Sequence, residues 1–104
     1  MAFLFNNDKS KLKMENAIIK KSYTKQVTIA SEDVATAIFD LSTDELYSKG
    51  YIAVGVVGWG VADSLVKVTG ASMENLVRAR VSLYSPKTYS STVGVYADVL
   101  WFKE

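Results

Sequence analysis

The chain contains no cysteine and no histidine. Without thiols there is no disulfide, no thiolate nucleophile and no zinc site of the usual kind. Without imidazole there is no Ser-His-Asp triad, and the commonest general base is missing. The charge is nearly balanced, with 12 Lys and Arg against 11 Asp and Glu for a net +1. That balance argues against nucleic acid or an anionic membrane as the main partner. No apolar run approaches the ~20 residues of a membrane-spanning helix, so no membrane insertion is expected. Met1-Ala2-Phe3-Leu4-Phe5 is too short for the apolar core of a signal peptide and lacks basic residues before it. The reading is therefore a protein made in the cytoplasm without Sec export. Enzymatic activity is not expected, nor is a cofactor or a metal.

With 104 residues the chain is about one domain, long enough to bury one core. Its organising stretch runs from Gly50 to Gly60, Gly-Tyr-Ile-Ala-Val-Gly-Val-Val-Gly-Trp-Gly. Three interior glycines would each cost a helix about 1 kcal/mol. Val, Ile and aromatics suit a pleat, and a run apolar on both phases predicts a strand in the middle of a sheet. Gly55 and Gly58 then mark a bulge or a close approach of neighbouring chain. They do not spell the dinucleotide-binding fingerprint.

The charges are segregated. Met1 to Gln26 carries six lysines against Asp8 and Glu15, whereas Val27 to Leu46 carries five acids and no base. Residues 1–16 lack a clean period and read as an N-terminal arm. A short helix capped by Asp8, with Leu12, Glu15 and Ile19 on one face, is the ordered alternative. Residues 17–104 read as one β domain. Ser22 to Ala30 alternates, with Tyr23, Val27 and Ile29 on one side. Val34 to Ser42 is a second strand with Ala35, Ala37, Phe39 and Leu41 inward. Thr43 to Lys49 is a loop or one helical turn. Leu65 to Thr69 is a short strand ending at Gly70, and Ala71 to Asn75 is a connector. Leu76 to Tyr84 places Val77, Ala79, Val81 and Leu83 inward. Ser85 to Ser91, with the only proline at Pro86, is a turn. Val93 to Phe102 places Val93, Val95, Ala97, Val99 and Trp101 on one face. Six or seven such strands predict an all-β fold, a small antiparallel β-sandwich that is jelly-roll-like.

Three segments together resemble the small β-sandwich at the C-terminal end of many phage tail fibre and baseplate proteins. They are Leu41-Ser42 through Gly50-Tyr51-Ile52-Ala53-Val54-Gly55-Val56-Val57-Gly58-Trp59, then Leu76-Val77-Arg78-Ala79-Arg80-Val81, then Val93-Gly94-Val95-Tyr96-Ala97-Asp98-Val99-Leu100-Trp101-Phe102-Lys103. The likeness covers about residues 24–103. It implies a structural module of a virion or prophage, localised to the virion, in contact with other virion proteins. Such modules usually assemble around a three-fold axis, so the resemblance also implies a homo-oligomer, with a trimer favoured. The chain departs from that pattern in its basic N-terminal arm and in the acids between Glu32 and Glu45.

Trp59 and Trp101 are expected in the core, since aromatics dominate the burial of small cores. Tyr84 and Tyr96 fall on the polar phase of their strands, and Tyr89 lies in the loop between them. If those strands pair as a hairpin, the three rings share an exposed face suited to a protein interface or to sugar stacking. Arg78 and Arg80 lie on one outward face. They predict either a cross-strand ion pair with Asp98 or a site for an anionic partner. Asp40, Asp44 and Glu45 lack the spacing of an EF-hand and read as a solvated acidic loop. Spacing alone leaves a carboxylate pair for glycoside cleavage open, with nothing else in the chain to support an active site. Two function classes follow. One is a self-associating structural or adhesive virion component, a tail tip or fibre module that binds a host-surface glycan or protein. The other is a free-standing bacterial carbohydrate-binding domain.

Overall fold

The computed structural model describes residues 18–103. The arm over 1–16 and its Asp8-capped alternative therefore lie outside the described residues, except Ile19, which falls in the first strand. Six strands and one short helix follow in order: β1 (Ile18–Ile29), β2 (Val34–Asp40), α1 (Glu45–Ser48), β3 (Ile52–Val61), β4 (Lys67–Asn75), β5 (Arg78–Tyr84) and β6 (Ser91–Phe102). They form two antiparallel three-stranded sheets. Sheet A has the order β1-β6-β3 and sheet B the order β2-β5-β4. The expected all-β antiparallel sandwich is the fold found, with three strands per sheet where a jelly roll has eight strands in all.

Alternation explains the interior. Ala37 and Phe39 of β2, Ala79, Val81 and Leu83 of β5, and Val93 to Trp101 at every second position of β6 are buried between the sheets. Each fully buried Val or Leu contributes roughly 1.5–3 kcal/mol over leaving it in water. Because β5 and β6 are the middle strands of their sheets, they have the strictest period. Val77 is an exception to the expected burial. It sits before β5 in the turn from β4 and stays partly exposed.

Three expectations are corrected by the pairing. The apolar run 50–60 is not a central strand: among the described residues β3 pairs only with β6, at the edge of sheet A. Its two-phase apolarity has another cause. Bulges between Ala53 and Gly55 and between Val56 and Gly58 set two β3 residues against one of β6. The extra residues, Val54 and Val57, are turned to the outer face and are 54% and 52% exposed. The glycines thus mark bulges, as their placement suggested. A side chain at Gly58 would collide with Asp98, and one at Gly60 with the Tyr96 ring. Secondly, Ala71 to Asn75 is not a connector. β4 continues through Gly70 by means of bulges at Val68/Gly70 and Met73/Asn75. Thirdly, β5 and β6 do not form a hairpin. Residues 85–90 carry the chain from sheet B to sheet A, held where Ser85 N–H donates to Asp33 O and Glu32 N–H to Lys87 O.

Candidate functional site: the outer face of sheet A

Register across β1, β6 and β3 resolves the outer face of sheet A into rows. Ile18, Phe102 and Ile52 make the first row, and Lys20, Leu100 and the Val54/Gly55 bulge the second. Ser22, Asp98 and the Val57/Gly58 bulge make the third, and Thr24, Tyr96 and Gly60 the fourth. Gln26 and Gly94 continue the series beside Ala62, whose N–H donates to Gly94 O. The face is therefore mostly apolar at the end where β1 begins, with Lys20 at its margin, and polar at the other. Ile18, Ile52, Val54 and Val57 each keep between 47% and 54% of their surface in water. Single exposed apolar side chains are ordinary, whereas these adjoin one another across neighbouring rows.

The third row divides the face. Ser22 Oγ donates to Asp98 at 2.5 Å, and Asp98 lies against the backbone of Gly58. Beyond it the Tyr96 ring lies over Gly60, which has no side chain to hold it off. A shallow groove of about 430 Å³ follows, lined by Thr24, Gln26, Gly94 and Tyr96 with Lys25 and Ala62.

The edge β3 adds to this surface. Between Lys49 and Asp63 the chain carries no charge, and among the described residues no strand lies beside the outer side of β3. Trp59 opposes Ala97 on the inward phase, yet at the margin of the sheet it is 47% exposed. Its expected place in the core is thus corrected, while Trp101 is fully buried. The opposite edge, β1, carries Lys20, Lys21 and Lys25, the usual protection of an edge strand.

The residues singled out from the sequence are dispersed. Tyr96 is on the outer face of sheet A. Tyr84 ends β5 on the outer face of sheet B, opposite Val34 and Lys67. Tyr89 stands in the 85–90 crossover with Lys87 Nζ 5.6 Å from its ring centre. Sheet separation of β5 from β6 is the reason the three rings share no face. Arg78 and Arg80 also lie on the outer face of sheet B, so neither pairs with Asp98. Arg78 instead reaches Glu74 at 4.0 Å and stands opposite Asp40.

One constellation was missed by sequence reasoning. Tyr23 Oη donates to Asp44 Oδ2 at 2.5 Å and accepts from the buried Trp101 indole N–H at 3.1 Å. Lys21 Nζ approaches the same carboxylate at 2.9 Å, and Asp44 Oδ1 caps α1 by accepting from Leu46 N–H. Burial pushes the Asp44 carboxyl up. The donations from Tyr23 and Leu46 and the Lys21 ammonium outweigh it, and the net displacement is downward. Burial, followed by the Asp44 contact, raises the Tyr23 phenol. The available signal was a tyrosine on the inward phase of β1, since a buried phenol needs a partner. The network joins α1 to β1 and β6 and acts as a strut.

Asp40 and Asp63 are similarly engaged. Asp40 accepts from Ser42 N–H and Oγ, which hold it below the ordinary carboxylate range. Asp63 takes Lys87 Nζ at 2.5 Å and the N–H groups of Leu65 and Val66. Among the described residues no three acidic groups gather as metal ligands, and no helix is long and apolar enough to cross a membrane. Comparison with known protein families, characterised proteins and solved structures finds no match for this chain.

Proposed function

We propose that the protein is an assembly module that associates with copies of itself through the apolar end of sheet A. In this reading it serves as a structural or adhesive component of a virion, in a tail tip or fibre. One observation carries it: Ile18, Ile52, Val54 and Val57, each about half open to water, adjoin the partly buried Phe102 and Leu100 in neighbouring rows, with Lys20 at the margin, along an edge strand that carries no charge. An edge that is long, apolar and free of lysine or proline invites pairing with another chain. The resemblance of β3, β5 and β6 to phage tail modules agrees with such a role and favours a trimer. Light scattering on the full chain and on Val54→Lys and Val57→Lys tests it. The full chain is expected to be a stable oligomer. Both variants keep the β-rich circular dichroism spectrum and fall to monomer, because an ammonium buried at the contact is costly. A full chain monomeric up to high micromolar concentration would refute self-association.

A second reading, carbohydrate binding, rests on the polar end. An exposed aromatic ring beside Thr24, Gln26 and an open groove offers stacking and hydrogen bonds together. In this reading Tyr96 alone carries the contact that the three tyrosines were expected to share, and Tyr96→Ser abolishes binding on a glycan array.

A further inference from the structure

Resting on the self-association reading, we infer that the free edge of β3 receives Phe3-Leu4-Phe5 of a second copy as an added strand. The two partners match in pattern. β3 is apolar on both phases at its free edge, with Ile52, Val54 and Val57 on the outer side and Trp59 half exposed on the inner. A strand laid beside it needs consecutive apolar residues, one phase facing each side. Phe3-Leu4-Phe5 supplies them: Phe3 and Phe5 on one phase, Leu4 on the other. Elsewhere, consecutive large apolar residues such as Leu100-Trp101-Phe102 already belong to a paired strand.

Reach permits the contact. Residues 1–17 precede Ile18, which stands in the first apolar row. At about 3.3 Å per extended residue, the 12 residues between Phe5 and Ile18 span roughly 40 Å, against ~4.8 Å between neighbouring strands. Within one copy, the segment would have to turn back over the end of β6. There Lys103 lies across the Tyr51 ring, with Nζ 5.6 Å from its centre. From a second copy it can approach along the open side of β3. The lysines at 9, 11 and 13 then follow the added strand as polar spacers. Backbone hydrogen bonds to the unpaired edge supply affinity, and the two phenylalanines supply register.

Full-length protein, the double variant Phe3→Ser/Phe5→Ser and the variant Val54→Lys are compared by light scattering and by amide hydrogen exchange. The arm variant is expected to raise the dissociation constant about tenfold or more, the loss of at least one buried phenylalanine contact. Amides of Ile52–Val61 on the free edge should lose protection at the same time. Adding a synthetic peptide of residues 1–13 to the arm variant should restore it. If the arm variant keeps its mass and protection while Val54→Lys dissociates, the added strand is wrong and self-association stands. If all three keep the oligomer, copies associate through neither the added strand nor the apolar end of sheet A, and both readings of the surface are wrong. Protection lost in the arm variant of a protein monomeric throughout would place the contact within one copy and overturn the exchange.

Discussion

At the scale of single residues, the glycines of β3 differ in what surrounds them, and their substitutions should differ in sign. A Cβ at Gly55 meets nothing within 4 Å, whereas one at Gly58 comes 2.7 Å from Asp98 Oδ2. Gly55→Ala is expected to stabilise the fold by about 0.4–1 kcal/mol by restricting the unfolded chain. Gly58→Ala must displace Asp98 from Ser22 and should destabilise; urea denaturation of the pair reads the contrast. Tyr23→Phe tests the strut. Losing the phenol leaves the fully buried Trp101 N–H without its acceptor, at a cost of about 1–3 kcal/mol in the same measurement. The Gly55 and Gly58 bulges could be read from the sequence, since glycine inside an apolar strand has few other uses. The Tyr23–Asp44 contact could not. It joins residues 21 positions apart through a loop whose course no local pattern dictates.

At the scale of elements, alternation told which side chains point inward and was silent on which strand lies beside which. Val81 and Val99 were placed correctly because period two is a local property of the backbone. The pairing of β5 with β2 and β4, and not with β6, depends on the 85–90 crossover, where Ser85 is buried against Asp33. A polar stretch with one proline looks the same whether it closes a hairpin or changes sheets. That ambiguity is what gathered Tyr84, Tyr89 and Tyr96 on one imagined face. The run 50–60 misled for a related reason: apolarity on both phases fits a strand covered on both sides and equally a bulged edge strand whose extra valines face outward. The apolar rows of sheet A were likewise hidden, because Ile18, Phe102 and Ile52 become neighbours only through register. Val81→Asp puts an unpaired carboxylate into the middle of sheet B and should cost several kcal/mol, abolishing cooperative unfolding. The crossover has its own latch in Lys87–Asp63, a pair of 10% and 19% side-chain exposure. Lys87→Met should lower the melting temperature more than Lys49→Met, whose pair with Glu45 is open to water at 3.9 Å.

For the whole molecule, pH should leave stability level through neutrality, because no histidine titrates there. The folded carboxyls of Asp40, Asp44 and Asp63 are depressed, so the unfolded chain binds protons first on acidification. Their stabilisation is complete above the ordinary value of about 4 and is lost as pH falls toward the depressed ones. Lys87 and Tyr23 are displaced upward. Their contribution is complete below about pH 10 and is lost as pH rises from there toward the raised folded values. A plot of urea midpoint against pH should therefore be flat-topped, with one acid and one alkaline shoulder. The topology bears finally on how the chain is born. The ribosome delivers β1 and β3 long before β6, yet among the described residues each has β6 as its only neighbour in sheet A. Until residues 91–102 emerge, half of the sandwich has no template to close on, and the nascent chain holds two strands apart with the Gly50–Gly60 run bare. Sheet B, by contrast, is complete once Tyr84 has been made. A polypeptide stalled before β6 would be a half-built sandwich with an apolar flank, a natural client for chaperones that shelter unfinished chains.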